Sequence, residues 1–264
     1  DEPQHLVQGR LTLPLLETMG VKTMVLTRES TLAELTAWIE EMRPHLAGGG
    51  QCALLVRDGA LTAPKRKYTN DYTLHREEAI AHILDAVGDA VIVATTGKTG
   101  RELFELREKR GADHAHDFLT VGSMGHAGAI ALGIALHRPQ RRVIVLDGDG
   151  AALMHMGALA AIGAAAPPNL VHILLNNEAH ESVGGAPTAA GSVNFPAVAA
   201  NVGYHVLPTA QTADELTHAL AQLHEMRGLT FLEVRTAIGS RADLGRPTTT
   251  PHENKEALMQ TLRA

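Results

Sequence analysis

An aspartate closes one apolar run of this chain, and a pair of asparagines closes the next. Leu146-Asp147-Gly148-Asp149-Gly150 ends the run Val143-Ile144-Val145-Leu146, and Asn176-Asn177 ends the run 171–175. Carboxylate and amide oxygens at two strand ends suit Mg²⁺, a hard cation that binds few protein oxygens and shares the rest of its shell with phosphates. The chemistry implied is the holding of a divalent cation against a diphosphate, with Asp149 exposed at the strand end and Asn177 across from it. Gly148 and Gly150 let the backbone turn sharply and approach a ligand. Residues 151–165 read as one helix whose first amides, from Ala151 onward, can face an anion. The separation of Asp149 from Asn177 fits a single strand–helix–strand unit with its two strand ends adjacent.

Ligands of open parallel sheets bind beyond the carboxyl ends of the strands, and four such loops here carry suitable groups: 95–98, 122–124, 148–150 and 176–185. Thr95, Thr96 and Gly97 offer hydroxyls and amides to a diphosphate, although alone they read as a helix cap. Met124, in Gly122-Ser123-Met124-Gly125, reads alone as a core methionine. His180 and Glu181 follow Asn177 at the mouth of the site. His180 and His126 are the candidates for acid–base work, a histidine being able to change charge near neutral pH. With 15 histidines in the chain, most must be structural or exposed.

Strands alternating with helices must position these loops. In the first part, 21–26 reads as a strand, 31–45 as an amphipathic helix with Leu32, Leu35, Trp38, Ile39 and Met42 at helical spacing, and 52–57 as a strand. Residues 58–72 are polar, contain Gly and Pro, and read as a linker. Thr73 is a plausible helix N-cap before Arg76. Strand 90–94, helix 101–110, strand 118–121, the 122–125 turn and the small-residue helix 127–136 lead to the cation unit. Residues 229–235 read as a last strand, and 239–251 as an irregular tail before a final helix. The fold class is α/β, a doubly wound, mostly parallel sheet covered on both faces and preceded by a partial second α/β domain.

Composition agrees. Hydrophobic residues make up 45% and aromatics only 3%, which favours an Ala/Val/Leu/Ile α/β core over an all-β sandwich. A net charge of −6 gives no reason to expect nucleic acid as a partner. The basic run Lys65-Arg66-Lys67 is short and reads as a solvated loop. Cys52 is the single cysteine, so no intrachain disulfide forms and a reducing, cytoplasmic setting is expected. No signal peptide and no apolar run long enough for a bilayer is visible, so no membrane is expected. The sequence opens Asp1-Glu2-Pro3 without an initiator Met and is read as a fragment.

The Gly148-Asp149-Gly150…Asn176-Asn177 pattern resembles the signature of thiamine-diphosphate-dependent enzymes. More narrowly, Thr95-Thr96-Gly97-Lys98-Thr99, the stretch from Asp117 to His126, Asn177-Glu178-Ala179-His180-Glu181-Ser182-Val183-Gly184-Gly185 and the stretch from Asp243 to Pro251 resemble the phosphonopyruvate decarboxylase family, itself close to sulfopyruvate decarboxylase. The resemblance implies thiamine diphosphate and Mg²⁺ as cofactors, with the cation on Asp149, Asn177 and the carbonyl of Ala179. The cofactor would be held by Thr95, Thr96, Gly97, Gly122, Ser123, Met124, Gly148, Asp149, Gly150, Ala151, Asn177, Ala179, His180 and Glu181. Met124 would prop the cofactor in its bent shape, and the Gly122 carbonyl would accept from its aminopyrimidine. The implied reaction is decarboxylation of 3-phosphonopyruvate, a small 2-keto acid, to phosphonoacetaldehyde and CO₂, with the cofactor as electron sink. Lys98, Arg101 and His126 are candidates for the phosphonate; Lys98 and Arg101 read equally as charges at a helix start.

The resemblance also implies that 1–57 ends a pyrimidine-binding domain and that 73–264 form the diphosphate-binding domain. The glutamate that activates the pyrimidine would precede Asp1. The active site would be shared between subunits of a homo-oligomer, or completed by a separate pyrimidine-domain chain, and this chain alone would be inactive. A sulfopyruvate substrate and a non-catalytic assembly subunit are the competing readings.

Overall fold

The computed structural model describes residues 3–63 and 67–263, so Lys65 and Arg66 of the basic run lie outside the described residues. The chain divides into two compact units, 1–66 and 67–264. In the first, helix α1 (Pro3–Thr18) is followed by β1 (Lys22–Leu26), α2 (Leu32–Ala47) and β2 (Cys52–Val56). β1 and β2 pair in parallel, Lys22 opposite Cys52. Thr31 and Glu34 close a capping box at the start of α2, which satisfies two backbone donors that the first turn leaves open. Cys52 is half-buried. Leu54 and Val56 on β2, and Leu6, Val7, Leu11 and Leu15 on α1, stay exposed, so much of this unit's apolar surface is uncovered.

The second unit runs α3 (Arg76–Val87), β3 (Val91–Ala94), α4 (Lys98–Lys109), β4 (Asp117–Leu119), α5 (Ala127–His137), β5 (Val143–Gly148), α6 (Asp149–Met154), α7 (Gly157–Ala165), β6 (Leu170–Asn176), β7 (Ala179–His180), β8 (Ala186–Pro187), α8 (Phe195–Asn201), β9 (His205–Val206), α9 (Ala213–Glu225), β10 (Thr230–Arg235) and α10 (Pro251–Arg263). Among the described residues the main sheet has six strands in the order β4-β3-β5-β6-β10-β9, paired in parallel throughout. Alternate residues of each strand serve opposite layers. Ile92, Ile144, Leu146, Ile173 and Leu232 pack under α3, α4 and α9. Val91, Val93, Val145, Leu174 and Phe231 pack under α5, α7 and α8. Each fully buried Ile, Leu or Val contributes about 1.5–3 kcal/mol, which explains why these strands are rich in such residues. No helix among the described residues is long and apolar enough to cross a membrane.

The sheet order positions the site. The chain leaves β3 for β4 on one side and returns to β5 on the other, so strand order reverses between β3 and β5, where such sheets open a crevice. The loops after β3 and β5 border it, and β6 lies beside β5 with Leu175 opposite Gly148.

Several elements differ from the sequence expectations. Residues 151–165 are not one helix. α6 already begins at Asp149 and ends at Met154, and α7 starts at Gly157. The 122–125 turn presses on this point: a Cβ on Gly125 would lie 2.8 Å from His155 Cβ and 2.9 Å from the Ala151 carbonyl. α4 begins at Lys98, not 101, with Gly97 as N-cap at φ +98°. His75, not Thr73, stands at the N-cap of α3, without a side-chain cap bond. Part of the stretch expected as linker is anchored in the second unit, where Asn70 Nδ2 donates to the carbonyls of Asn177 and Thr236, 3.0 Å each.

Gly163 lies inside α7, where alanine is normally the better helix former by about 1 kcal/mol. A Cβ there would sit 1.8 Å from the Val202 carbonyl oxygen just beyond α8. Gly163→Ala is therefore expected to destabilise the protein by about 1–3 kcal/mol, the usual cost of overpacking. Urea denaturation checks this; a gain in stability would show that α7 and α8 separate freely.

Candidate cation and cofactor site

β5 delivers its last residues through a buried anchor. Asp147, 3% exposed, accepts the Gly148 amide at 3.0 Å, and its other oxygen lies 3.2 Å from His172 Nε2 on β6. Asp149 follows as the first residue of α6. Contrary to expectation it is buried, at 2% exposure. Thr188 Oγ1 donates to its Oδ2 at 2.5 Å. Burial pushes its carboxyl above the ordinary range, and the Thr188 hydroxyl and nearby main-chain amides only partly offset that. A buried carboxylate with one hydroxyl partner is poised for a cation.

β6 ends in three side chains that diverge. Asn176 Nδ2 turns to Glu233 at 2.8 Å, Asn177 faces the crevice, and Glu178 turns away to Tyr72 (2.9 Å) and Arg235 (2.6 Å). Glu178 takes φ +59°, a left-handed backbone that costs a non-glycine residue energy and reverses its side-chain direction. Asn177 Oδ1 accepts the Ala179 amide at 3.1 Å, and Nδ2 donates to Glu181 Oε2 at 3.0 Å.

Asp149, Asn177, Ala179, His180 and Glu181 line one cavity of about 100 Å³ with Thr95, Thr96, Lys98, Met124, Gly148, Gly150 and Ala151. Gly150 is required here: a Cβ would lie 2.8 Å from His180 Nδ1 and 3.2 Å from Met124 Cε, so these two side chains close over the bare backbone. Gly97, at the rim, faces Ser182, whose Oγ would stand 3.3 Å from an added Cβ. Gly122 and Ser123 do not line the cavity; they form the left-handed turn, at φ +67° and +43°, that presents Met124. His126 stays outside too, exposed and stacked on His155 with ring centroids 4.7 Å apart. Arg101 lies one turn into α4 and does not reach the lining, whereas Lys98 does, donating to Ser240 Oγ at 2.6 Å.

Three residues outside the sequence motifs belong to the site. Thr188 has been described; Arg76 and Glu102 are the others. Arg76, 5% exposed, lines the cavity. It donates to Glu102 at 2.6 and 2.8 Å and to Glu181 Oε2 at 2.8 Å. Burial weakens its charge, but the two carboxylates more than compensate and hold the guanidinium protonated. Glu181 feels burial as well, yet Arg76 keeps its carboxyl below the ordinary range. No spacing signal marks such pairs, because they meet only when α3, α4 and the loop after β7 converge.

Among the described residues no group of three or more His, Cys, Asp or Glu side chains could hold a metal. A cation here would rest on one carboxylate, one amide and a main-chain carbonyl, and would need further oxygens from its ligand. That donor set fits Mg²⁺ bound to a diphosphate.

Known proteins align with this arrangement. The family of the C-terminal TPP-binding domain of thiamine pyrophosphate enzymes matches residues 95–234. A phosphonopyruvate decarboxylase of Streptomyces hygroscopicus is 38% identical over 96% of this chain and 66% of its own length; one of Streptomyces viridochromogenes is 37% identical over the same shares. The chain thus spans 66% of these two relatives. Sulfopyruvate decarboxylase subunit beta of Methanothermobacter thermautotrophicus is 36% identical over 63% of this chain and 84% of that subunit. In fold, the chain is similar to a thiamine diphosphate-dependent 4-hydroxybenzoylformate decarboxylase of Rhodococcus jostii RHA1, with TM-score 0.51 and 22% identity, over 67% of this chain and 35% of the other. The spacing of motifs, the crevice between β3 and β5 and these relatives agree: the chain belongs to the thiamine pyrophosphate enzymes, among the relatives of phosphonopyruvate and sulfopyruvate decarboxylases.

Proposed function

We propose that the protein containing this chain decarboxylates 3-phosphonopyruvate to phosphonoacetaldehyde and CO₂, with thiamine diphosphate and Mg²⁺. The observation that carries this reading is the meeting of Asp149, Asn177 and Ala179 in one cavity with Met124 and His180, in a chain that aligns over 96% of its length with two phosphonopyruvate decarboxylases. Asp149 Oδ, Asn177 Oδ1 and the Ala179 carbonyl would hold the cation. Thr95, Thr96, the Gly148–Ala151 turn and the amides at the start of α4 would take the diphosphate. A cavity of about 100 Å³ is below the roughly 300–1,000 Å³ of whole-ligand sites and suits only that anionic end, so the rings would extend past Met124 toward surface supplied outside this unit. When bound, the cofactor supplies the electron sink for loss of CO₂.

This chain's residues bind and orient. Met124 would pack against the cofactor's rings, and Gly122 and Ser123 shape the turn that presents it. His180, against Gly150, is placed to hold or move a proton at the mouth. Lys98, which lines the cavity, donates to Ser240 Oγ and stands 3.9 Å from Glu181 Oε1, would offer its ammonium to a dianionic phosphonate. His126 and Arg101 would act on substrate only from the rim. The active site is completed by a pyrimidine-binding domain, from another subunit or from the rest of the protein.

The alignment with sulfopyruvate decarboxylase subunit beta over 84% of its length supports a second reading, a sulfonate substrate with the pyrimidine domain on a separate chain. The test is CO₂ release from 3-phosphonopyruvate and from 3-sulfopyruvate, measured on the full-length protein with Mg²⁺ and thiamine diphosphate. A higher kcat/KM for the phosphonate is expected. Preference for the sulfonate selects the second reading, and no CO₂ from either acid removes both.

A further inference from the structure

We infer that Glu102, Arg76 and Glu181 form a buried chain that fixes which end of the Asn177 amide faces the cation, so that Arg76 and Glu102 are positioning residues for a metal they never touch. The inference rests on the reading of the cavity as a cation–diphosphate site. An asparagine side chain has two unlike ends, and only its oxygen can ligate a hard cation. Which end is free for a cation is decided by the groups that bond each end. At the nitrogen end that group is the Glu181 carboxylate, whose Oε2 accepts from Asn177 Nδ2 at 3.0 Å. A carboxylate accepts and does not donate, so a flipped amide would set oxygen against oxygen. The Ala179 amide, 3.1 Å from Oδ1, adds a second constraint in the same sense.

Glu181 can do this only while it is held in place. Arg76 Nη1 donates to the same Oε2 at 2.8 Å, and Lys98 Nζ stands 3.9 Å from Oε1. Arg76 is in turn clamped by Glu102 through two bonds of 2.6 and 2.8 Å, a bidentate geometry that fixes the guanidinium plane. Glu102 is 1% exposed and does not line the cavity. Its position is otherwise hard to account for: a carboxylate buried against α3 is costly, and the guanidinium it steadies is joined to the proposed cation through Glu181 and Asn177.

Mn²⁺ binding, followed by electron paramagnetic resonance on the full-length protein with saturating thiamine diphosphate, tests this. Glu102→Gln is expected to weaken Mn²⁺ binding by about 10- to 100-fold, the usual effect of losing an outer-shell partner. Activity should recover as Mn²⁺ is raised to saturation. A purely structural Glu102 would lower the melting temperature and leave the Mn²⁺ affinity of the folded protein unchanged, which would overturn the inference. A second pair of variants does not depend on Glu102 folding. Asn177→Asp alone faces Glu181 with like charge and should bind Mn²⁺ poorly. Adding Glu181→Gln exchanges donor and acceptor and should restore most of the affinity. A double variant no better than Asn177→Asp alone also overturns the inference. Unaltered protein that takes up no Mn²⁺ with thiamine diphosphate refutes the cation site itself and the inference with it, a result visible before any variant is compared.

Discussion

Asp149→Asn removes metal-dependent cofactor binding while leaving the empty protein at least as stable as before. The two halves of this expectation have one cause. Asp149 is the single carboxylate of the proposed ligand set and is 2% exposed. Removing one partner of a buried charged contact costs about 2–5 kcal/mol, which is roughly 30- to 4,000-fold in affinity at 1.4 kcal/mol per decade. Without the cation, however, the carboxylate is a liability, because burial raises its pKa. The sign follows from that direction. A carboxyl whose folded pKa is raised binds its proton more tightly in the folded protein than in the unfolded chain. Its contribution to stability is present below the unfolded value of about 3.9 and is lost as pH rises through the folded value. At neutral pH the empty protein therefore carries the full cost, and asparagine, which still accepts from Thr188, does not. Melting curves with and without Mg²⁺ and thiamine diphosphate distinguish the cases. Ligand at 100 times Kd should stabilise the unaltered protein by about 2.7 kcal/mol and the variant hardly at all. Equal ligand-induced shifts in both proteins would remove Asp149 from the cation site.

The parts of this site that were legible in the sequence are those written in consecutive residues. β3 and β5 are buried on both faces and read as apolar runs; β6 and β10 are buried too, but His172 and Glu233 interrupt them; the loops of all four follow in sequence. Asp149 and Asn177 could be paired because one crossover unit separates them and parallel neighbours bring their ends together. Met124 was recognisable only through resemblance, since a methionine on its own reads as core. What the sequence does not carry is long-range pairing. Arg76 reads as an ordinary charge at a helix start, and Glu102 as a solvated position on α4, yet both are buried. The break between α6 and α7 is of the same kind. Residues 151–165 are mostly Ala, Leu, Ile and Met, with Gly157 at the break, and the packing of Gly125 against Ala151 and His155 is not legible in them. Asp149 looked exposed because aspartates at strand ends usually are; the 188–192 segment, which contributes Thr188, covers it. α9 carries its own mark, the Thr212 and Glu215 capping box, but it lies outside every cofactor motif.

Arg76→Met is the substitution expected to cost the most stability. It leaves Glu102 and Glu181, 1% and 10% exposed by side chain, without the guanidinium that both share. Breaking a buried ion pair from one side costs about 3–5 kcal/mol, or about 6–20 °C in melting temperature for a domain of this size. Lys98 is a weaker partner, its Nζ 3.9 Å from Glu181 Oε1 and already donating to Ser240 Oγ. The loss should depend on pH. Burial already raises the Glu102 carboxyl against the pull of Arg76, and without Arg76 it rises further. The variant therefore gains relative stability as pH falls and Glu102 takes up a proton, and its deficit is larger at pH 8 than at pH 5. Arg76→Met with Glu102→Leu removes both charges of the inner pair, and an apolar replacement of a buried pair is often neutral or stabilising. The double variant should recover most of the lost stability by urea denaturation and still bind metal weakly, because Glu181 has lost its anchor. Recovery of stability and metal affinity together would mean that the pair only fills space between α3 and α4. Recovery of stability alone would separate what Arg76 does for the fold from what it does for Asn177.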